Sequence, residues 1–409
     1  MVVSRDKSGR KTCVCQRLNC MVVLFVFGVI TILPLGMRAE QADINSAAVP
    51  FLLNINSPRA SGMGGCVVNL VDEQSALYNP GALGLLHLNR VIAVSFPSST
   101  KWLPELANDL HMKTLSVSAG VSEDLLRLSG GKKFNAGMAA AYSRAKMDYG
   151  TFVVIGSAPE PIGTLDSYDE ATFYSIAVGV DYHIRAGIGY THKEVKSVLA
   201  EIGAGVEVGS AEVEGSAYDI GGIVELPLTR LLRGPSNMSQ LGNENLRLDV
   251  TLSLAYVRAN TGDDMAYIDA SQVDPLPKVG RTGVSLLLEA YRKDASMVSA
   301  RFTWEHQKDL VYGEHLNKGG LEFGLAGALY MRAGVFEVPG SNKVDKTIGL
   351  GFRLRGIMSW LQTSGRLNTE SPLLAYLTRH LDVSFDYARY GFGDYFEIKR
   401  NLFKLGLSF

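Results

Sequence analysis

The sequence predicts an all-β protein, a transmembrane antiparallel β-barrel of about 14 strands with an N-terminal hatch segment in its lumen. Three observations carry that expectation. The chain closes on NLFKLGLSF, where Phe403, Leu405, Leu407 and Phe409 share one face and Lys404, Gly406 and Ser408 the other. The same two-sided alternation recurs along most of the chain. The opposite end carries an export leader.

Residues 1–39 read as a signal peptide: Arg5, Lys7, Arg10, Lys11 and Arg17 precede an uncharged apolar run from Met21 to Leu35. Cleavage is expected after Ala39, although Met37 is larger than the residue usual three positions before such a site. The alternative is a retained anchor, since a helical span needs roughly 20 apolar residues; Pro34 and Gly36 break the run where a leader should end. Removing the leader takes away Cys13, Cys15 and Cys20, leaving Cys66 as a single small buried residue without a disulfide partner. It also removes six basic residues and one acidic residue, so the formal charge moves from -1 to 34 − 40 = -6. That mild acidity gives no electrostatic case for nucleic-acid binding.

Residues 40–88 are rich in small and turn-forming residues, with a short helical stretch near Asp72 to Tyr78 and a helix stop at Asn79-Pro80-Gly81. They read as a plug inside the barrel, with Gly62, Gly64 and Gly65 permitting close approach to the wall. Residues 89–409 then form the barrel.

The clearest strand is Leu246 to Val257, with Leu246, Leu248, Val250, Leu252, Leu254 and Tyr256 facing lipid and Arg247, Asp249, Thr251, Ser253 and Ala255 facing inward. Val298 to Glu305, Ile348 to Arg355 and Leu381 to Tyr387 repeat the pattern, so that Arg301, Arg353, Arg355, Asp382 and Asp386 join the lumenal face. Further strands are expected near 90–97, 113–121, 135–144, 173–182, 186–193, 215–226, 279–290, 318–326, 328–336 and 401–409. Residues 102–109 and 357–380 read as longer loops with short amphipathic helices. A soluble sandwich or propeller also alternates, but seldom sets so many charges opposite a continuous apolar face.

The stretch AVPFLLNINSPRASGMGG, followed by Asp72, Ala76 and Asn79-Pro80, resembles the opening of PorV-like outer-membrane proteins and, more loosely, the FadL family of long-chain fatty-acid transporters. The likeness continues through Ala217-Tyr218-Asp219-Ile220-Gly221, Asp274-Pro275-Leu276-Pro277, His315 and Glu322. It implies a 14-stranded barrel whose N-terminal hatch carries Arg59, Gly62, Met63, Gly64, Gly65, Asp72, Asn79 and Pro80. Here Gly81 and Ala82 stand where that family usually has Ala then Gly. It further implies an apolar ligand pocket closed by Phe51, Leu52, Leu53 and Ile55, the alternative being that these residues simply pack the plug; the lumenal face offers Arg247, Arg301, Arg353 and Arg355, one of which could meet a carboxylate head group.

Enzymatic motifs are missing from the sequence. Its seven His are scattered without metal-ligand spacing, Gly203-x-Gly205-x-x-x-Gly209 suits alternating Gly in a strand, and Gly130-Gly131-Lys132-Lys133 suits a hairpin turn. The expected function is therefore uptake of a hydrophobic small molecule, a long-chain fatty acid above all, in the cell outer membrane. A PorV-like partner or shuttle for a secretion system, or a general porin, are the alternatives. The expected partners are that ligand, outer-membrane lipid and the barrel-assembly machinery, which would act on the strand ending in Phe409; no cofactor is implied.

Overall fold

A computed structural model of the chain describes residues 3–5, 11–13, 47–54, 56–89, 92–97, 100–101, 110–128, 132–155, 161–199, 212–233, 246–267, 273–292, 295–338, 343–363, 376, 380–392 and 396–407. Residues 1–38 form a unit of their own, in which Val3–Arg5 pairs antiparallel with Lys11–Cys13. The leader's apolar run, its expected cleavage point, Ile55, the 102–109 loop and Phe409 lie outside the described residues.

Fourteen antiparallel strands make the wall: β1 Ile92–Pro97, β2 His111–Leu128, β3 Lys132–Ile155, β4 Pro161–Asp181, β5 Arg185–Val198, β6 Glu212–Pro227 and β7 Leu246–Gly262, then β8 Val279–Arg292, β9 Ala295–Asp309, β10 His315–Leu325, β11 Leu329–Glu337, β12 Val344–Arg353, β13 Leu381–Phe392 and β14 Phe396–Leu407. Each pairs with its sequence neighbours, and β1 closes the barrel by pairing both β14 (Leu407↔Ile92) and β2 (Ile92↔Ala119). Every expected strand is present. Several are longer than expected, because the alternation that marks a strand fades where β3 and β4, at 24 and 21 residues, outrun the length a tilted membrane strand requires, about 9–11 residues.

Alternation sets the two faces. Leu248, Leu254, Tyr256, Ile348, Leu350 and Phe403 are exposed on the outside, whereas Ser253, Ala255 and Lys404 are buried on the inside. An apolar exterior around a fully paired sheet is the arrangement a bilayer requires, because no backbone polar group is left facing lipid. No described helix is long and apolar enough to cross a membrane.

Residues 47–54 and 56–89 lie inside the barrel, most of them buried against the inward faces of its strands. They begin with a 3-10 turn, Pro50–Leu53, followed by helices α1 Pro58–Ser61, α2 Ser75–Tyr78 and α3 Pro80–Leu86. The helical stretch stops at Asn79 as expected, and a further helix, α3, which was not expected, starts directly after it. Asn79 ends α2 but also caps α3, its side chain accepting from the Gly81 N–H at 3.0 Å, and Pro80 takes the first helical position where its missing N–H costs nothing. Glycine is the residue these helical positions accept at Gly81 and Gly84, because the wall leaves no room for a side chain there.

A correction concerns Arg355. The strand ends at Arg353, and Leu354–Thr363 forms the amphipathic helix α5, on which Arg355 is exposed rather than lumenal. A further short helix, α4 Leu228–Arg233, follows β6.

Since the wall makes all its own ladder bonds, deleting residues 47–88 is expected to leave a barrel that still folds but conducts ions more freely. Bilayer recordings with identical conductance for the full and deleted chains would reject the plug.

Candidate functional site

The site is the contact between the inner segment and the wall, and its centre is a buried ion network. Ser57 caps α1, its Oγ accepting from the Ala60 N–H at 3.3 Å, and this short helix sets Arg59 against β10. Arg59 Nε and Nη2 donate to the two Glu322 carboxylate oxygens at 2.9 and 2.7 Å, a paired geometry that favours guanidinium over ammonium. Arg332 on β11 donates to Glu322 at 2.7 Å and to Asp386 on β13 at 2.6 Å. Lys404 on β14 lies 3.1 Å from Asp386, 3.5 Å from Asp72 and 3.9 Å from Glu73. Arg301 on β9 approaches Glu322 at 3.8 Å.

Among the described residues, Arg59, Arg301, Arg332 and Lys404 thus face Asp72, Glu73, Glu322 and Asp386. Pairing of opposite charges is what permits such burial, because an isolated ion in low dielectric loses several kcal/mol of solvation.

Groups of the inner segment show the field. Burial by itself would lower the Arg59 pKa, but Glu322 beside it holds it above the ordinary value. Burial alone would raise the Asp72 carboxyl, yet Lys404 and Arg59 outweigh it and hold Asp72 below its usual value. The contribution of Asp72 to stability is therefore complete above the unfolded carboxylate value of about 3.9 and is lost only as pH falls through the lower folded value. Burial pushes the Tyr78 hydroxyl up to about 12 and the Cys66 thiol well above its ordinary range, so Cys66 is an inert core residue.

Backbone contacts extend the seam. Glu305 on β9 accepts from the N–H groups of Val67 and Val68 at 2.6 and 2.9 Å while Lys318 donates to it at 3.2 Å. Gly64, with φ +69°, donates to Thr347 Oγ1 at 3.0 Å, and a Cβ there would sit 2.3 Å from the Val335 carbonyl. Gly62 meets Gly349 in the same way, Met63 is buried against Gly320, and Gly65 completes the turn at φ +78°.

The other end of the segment is held without charge. Asn79 donates to the Val68 carbonyl at 2.7 Å, Pro80 abuts Gly189, and α3 lies backbone to backbone on β4, β5 and β6 through Gly84 with Gly179 and Gly81 with Gly187.

A separate polar node joins two of the quoted sequence stretches. Lys193 on β5 pairs with Asp219 at 2.8 Å and donates to Asn260 at 2.5 Å; Asn260, at φ +58° in a β7 bulge, donates to the Pro277 carbonyl at 2.9 Å. Ala48 donates to the neighbouring Pro275 carbonyl at 3.0 Å.

The structure brings Arg59, Asp72 and Glu322 together, and places Phe51 in a core cluster with Met63, Tyr78, Met112 and Phe173. Leu52 borders that cluster, whereas Leu53 borders a different one formed by Ala82, Leu85 and Ile223. His315 meets His306 at 3.1 Å beside the exposed β9–β10 turn. Sequence reasoning missed Arg332, Lys404, Glu305 and Lys318 as anchors. Their inward parity was the available signal, but parity names a face and not a partner. Among the described residues, no group of three or more His, Cys, Asp or Glu is placed to hold a metal ion.

Neither a protein-family model nor a curated protein sequence matches this chain. Among solved structures it is similar to the toluene transporter TbuX of Ralstonia pickettii (10% identity, 86% of this chain and 98% of that one, TM-score 0.38). It is also similar to the P. putida toluene transporter TodX (9%, 86% and 97%, 0.38) and to the translocator domain of the autotransporter NalP from Neisseria meningitidis (12%, 79% and 90%, 0.38). At such values the functional reading rests on this chain's own residues.

Proposed function

We propose that the chain is an outer-membrane channel for uptake of hydrophobic small molecules, long-chain fatty acids first among them, with residues 47–88 as its gate. The observation that supports this most is a closed barrel with an apolar exterior whose lumen is occupied by a segment of its own chain. Passage then requires that segment to move, and an occupied lumen weighs against a general porin. On this reading the leader 1–39 is removed on export, and the strand ending in Phe409 is what the barrel-assembly machinery handles.

Phe51, with Leu52 beside it and Leu53 against the adjoining apolar cluster, supplies the lining for a ligand tail. For the head group Arg301 is the favoured cation: it donates to Ser285 at 3.2 Å, and its Nε, though 3.8 Å from Glu322, makes no hydrogen bond among the described residues. Arg247 is engaged by Asp249 at 2.9 Å and Arg353 lies 5.1 Å from the Tyr330 ring centre.

Titrating the refolded protein with a fluorescent long-chain fatty acid tests the proposal. Saturable binding is expected, weakened about tenfold or more in the Phe51→Asp, Leu53→Asp double variant because charge enters an apolar lining. Absence of saturable binding to a barrel that still migrates as folded would overturn the uptake reading. Unchanged affinity in the double variant would remove Phe51 and Leu53 from the site.

A further inference from the structure

His306 and His315 are separated by a turn of the chain, a spacing that no helical metal motif uses, and the β9–β10 hairpin brings them together. In the ladder His306 pairs with Asn317 and Lys308 with His315, so the two imidazoles are diagonal neighbours on one face. That face is the outer one, because Glu305 and Gln307 are buried on the other and Trp304 beside His306 is exposed. The rings lie 20° apart in plane with centres 5.1 Å apart, and His315 Nδ1 stands 3.1 Å from His306 Nε2.

The neighbours of His306 fix its proton. Glu337 accepts from the Asn317 N–H at 2.6 Å and from Asn317 Nδ2 at 3.2 Å. A carboxylate only accepts, so the Asn317 amide turns its nitrogen to Glu337 and its oxygen to His306 Nδ1, 2.9 Å away. That oxygen also only accepts, so Nδ1 of His306 carries the proton and Nε2 presents its lone pair toward His315. A metal-ligating imidazole needs an outer partner of this kind, one that holds both ring and tautomer. His315 Nδ1–H donates to the lone pair in the metal-free protein. Moving that proton through water to the other nitrogen of the same ring leaves a second lone pair at the same point, with no net proton released.

We infer that His306 Nε2 and His315 Nδ1 form a two-ligand site for a divalent transition-metal ion, copper(II) ahead of zinc(II) and nickel(II), with water in the remaining positions. Two nitrogens each about 2.0–2.1 Å from one ion stand about 2.8–3.4 Å apart between square-planar and tetrahedral angles, and the observed 3.1 Å lies in that range. His315 is exposed and no third His, Cys, Asp or Glu joins the pair among the described residues, so the ion is exchangeable and the order of affinity is the intrinsic one for imidazole. Bound metal would staple β9 to β10 on the outer face, whatever passes through the lumen.

The test titrates the protein, purified from membranes without an affinity tag, with copper(II) chloride in glycine buffer. Trp304 stacks on His306 with ring centres 6.0 Å apart, so its fluorescence reads binding at this pair and not elsewhere. Saturable quenching is expected, together with nitrogen ligation in the electron paramagnetic resonance spectrum. His306→Ala and His315→Ala should each weaken the quenching about tenfold or more, and Asn317→Leu, which keeps both ligands but releases the His306 tautomer, about tenfold. His111→Ala, at another imidazole near a carboxylate, should leave it unchanged. Because His315 is exposed, its variant still decides if His306→Ala fails to assemble. No saturable quenching of the folded barrel overturns the site, and so does unchanged affinity in either His variant, since the pair needs both. Unchanged affinity in Asn317→Leu overturns the orienting part given to Asn317 and Glu337.

Discussion

Arg332→Met is expected to destabilise the assembled barrel with its inner segment by about 3–5 kcal/mol, the cost of removing one partner from a buried ion network. The Arg332 side chain is fully buried and bridges Glu322 and Asp386, so its loss takes a cation from two buried carboxylates at once and leaves Glu322 to Arg59 and Asp386 to Lys404. Met fills much of the volume, which separates the electrostatic loss from a packing defect. Urea unfolding followed by tryptophan fluorescence measures the change, with exposed Lys308→Met as a control expected to shift stability by no more than about 1 kcal/mol. Equal midpoints for the two variants would mean that Arg332 does not hold the network together.

Gly84→Val is expected to lift α3 off the wall. A Cβ at Gly84 would stand 2.3 Å from the Val178 carbonyl oxygen and 2.6 Å from its carbon, and both are backbone atoms that cannot turn aside. Overpacking of this kind costs about 1–3 kcal/mol or more. Gly222→Ala is the matched control, since a Cβ there meets only the Gly187 carbonyl at 3.6 Å, an ordinary contact. Amide hydrogen exchange over residues 80–86 should accelerate in Gly84→Val and remain slow in Gly222→Ala. Similar exchange in both would show that α3 does not lie this close to β4.

Alternation alone determined the wall. Leu248, Leu254 and Tyr256 opposite Ser253 and Ala255 can satisfy both lipid and lumen only as a strand of one register, and a one-residue slip would reverse every side chain, so the strand order and both faces were legible from the sequence. The glycines of the inner segment were legible as points of close approach, though not which strands they would meet.

Only the tertiary structure decided the partners. Arg59 and Glu322 are 263 residues apart, and Asp72 and Lys404 are 332 apart; no local pattern couples such positions. It likewise decided that Asn79-Pro80 opens a second helix as well as ending the first, because the glycines of α3 let its backbone lie against Gly187 and Gly179. Local periodicity reports the solvent each side chain faces, whereas a buried ion network reports which charges were left to neutralise one another after the sheet had closed.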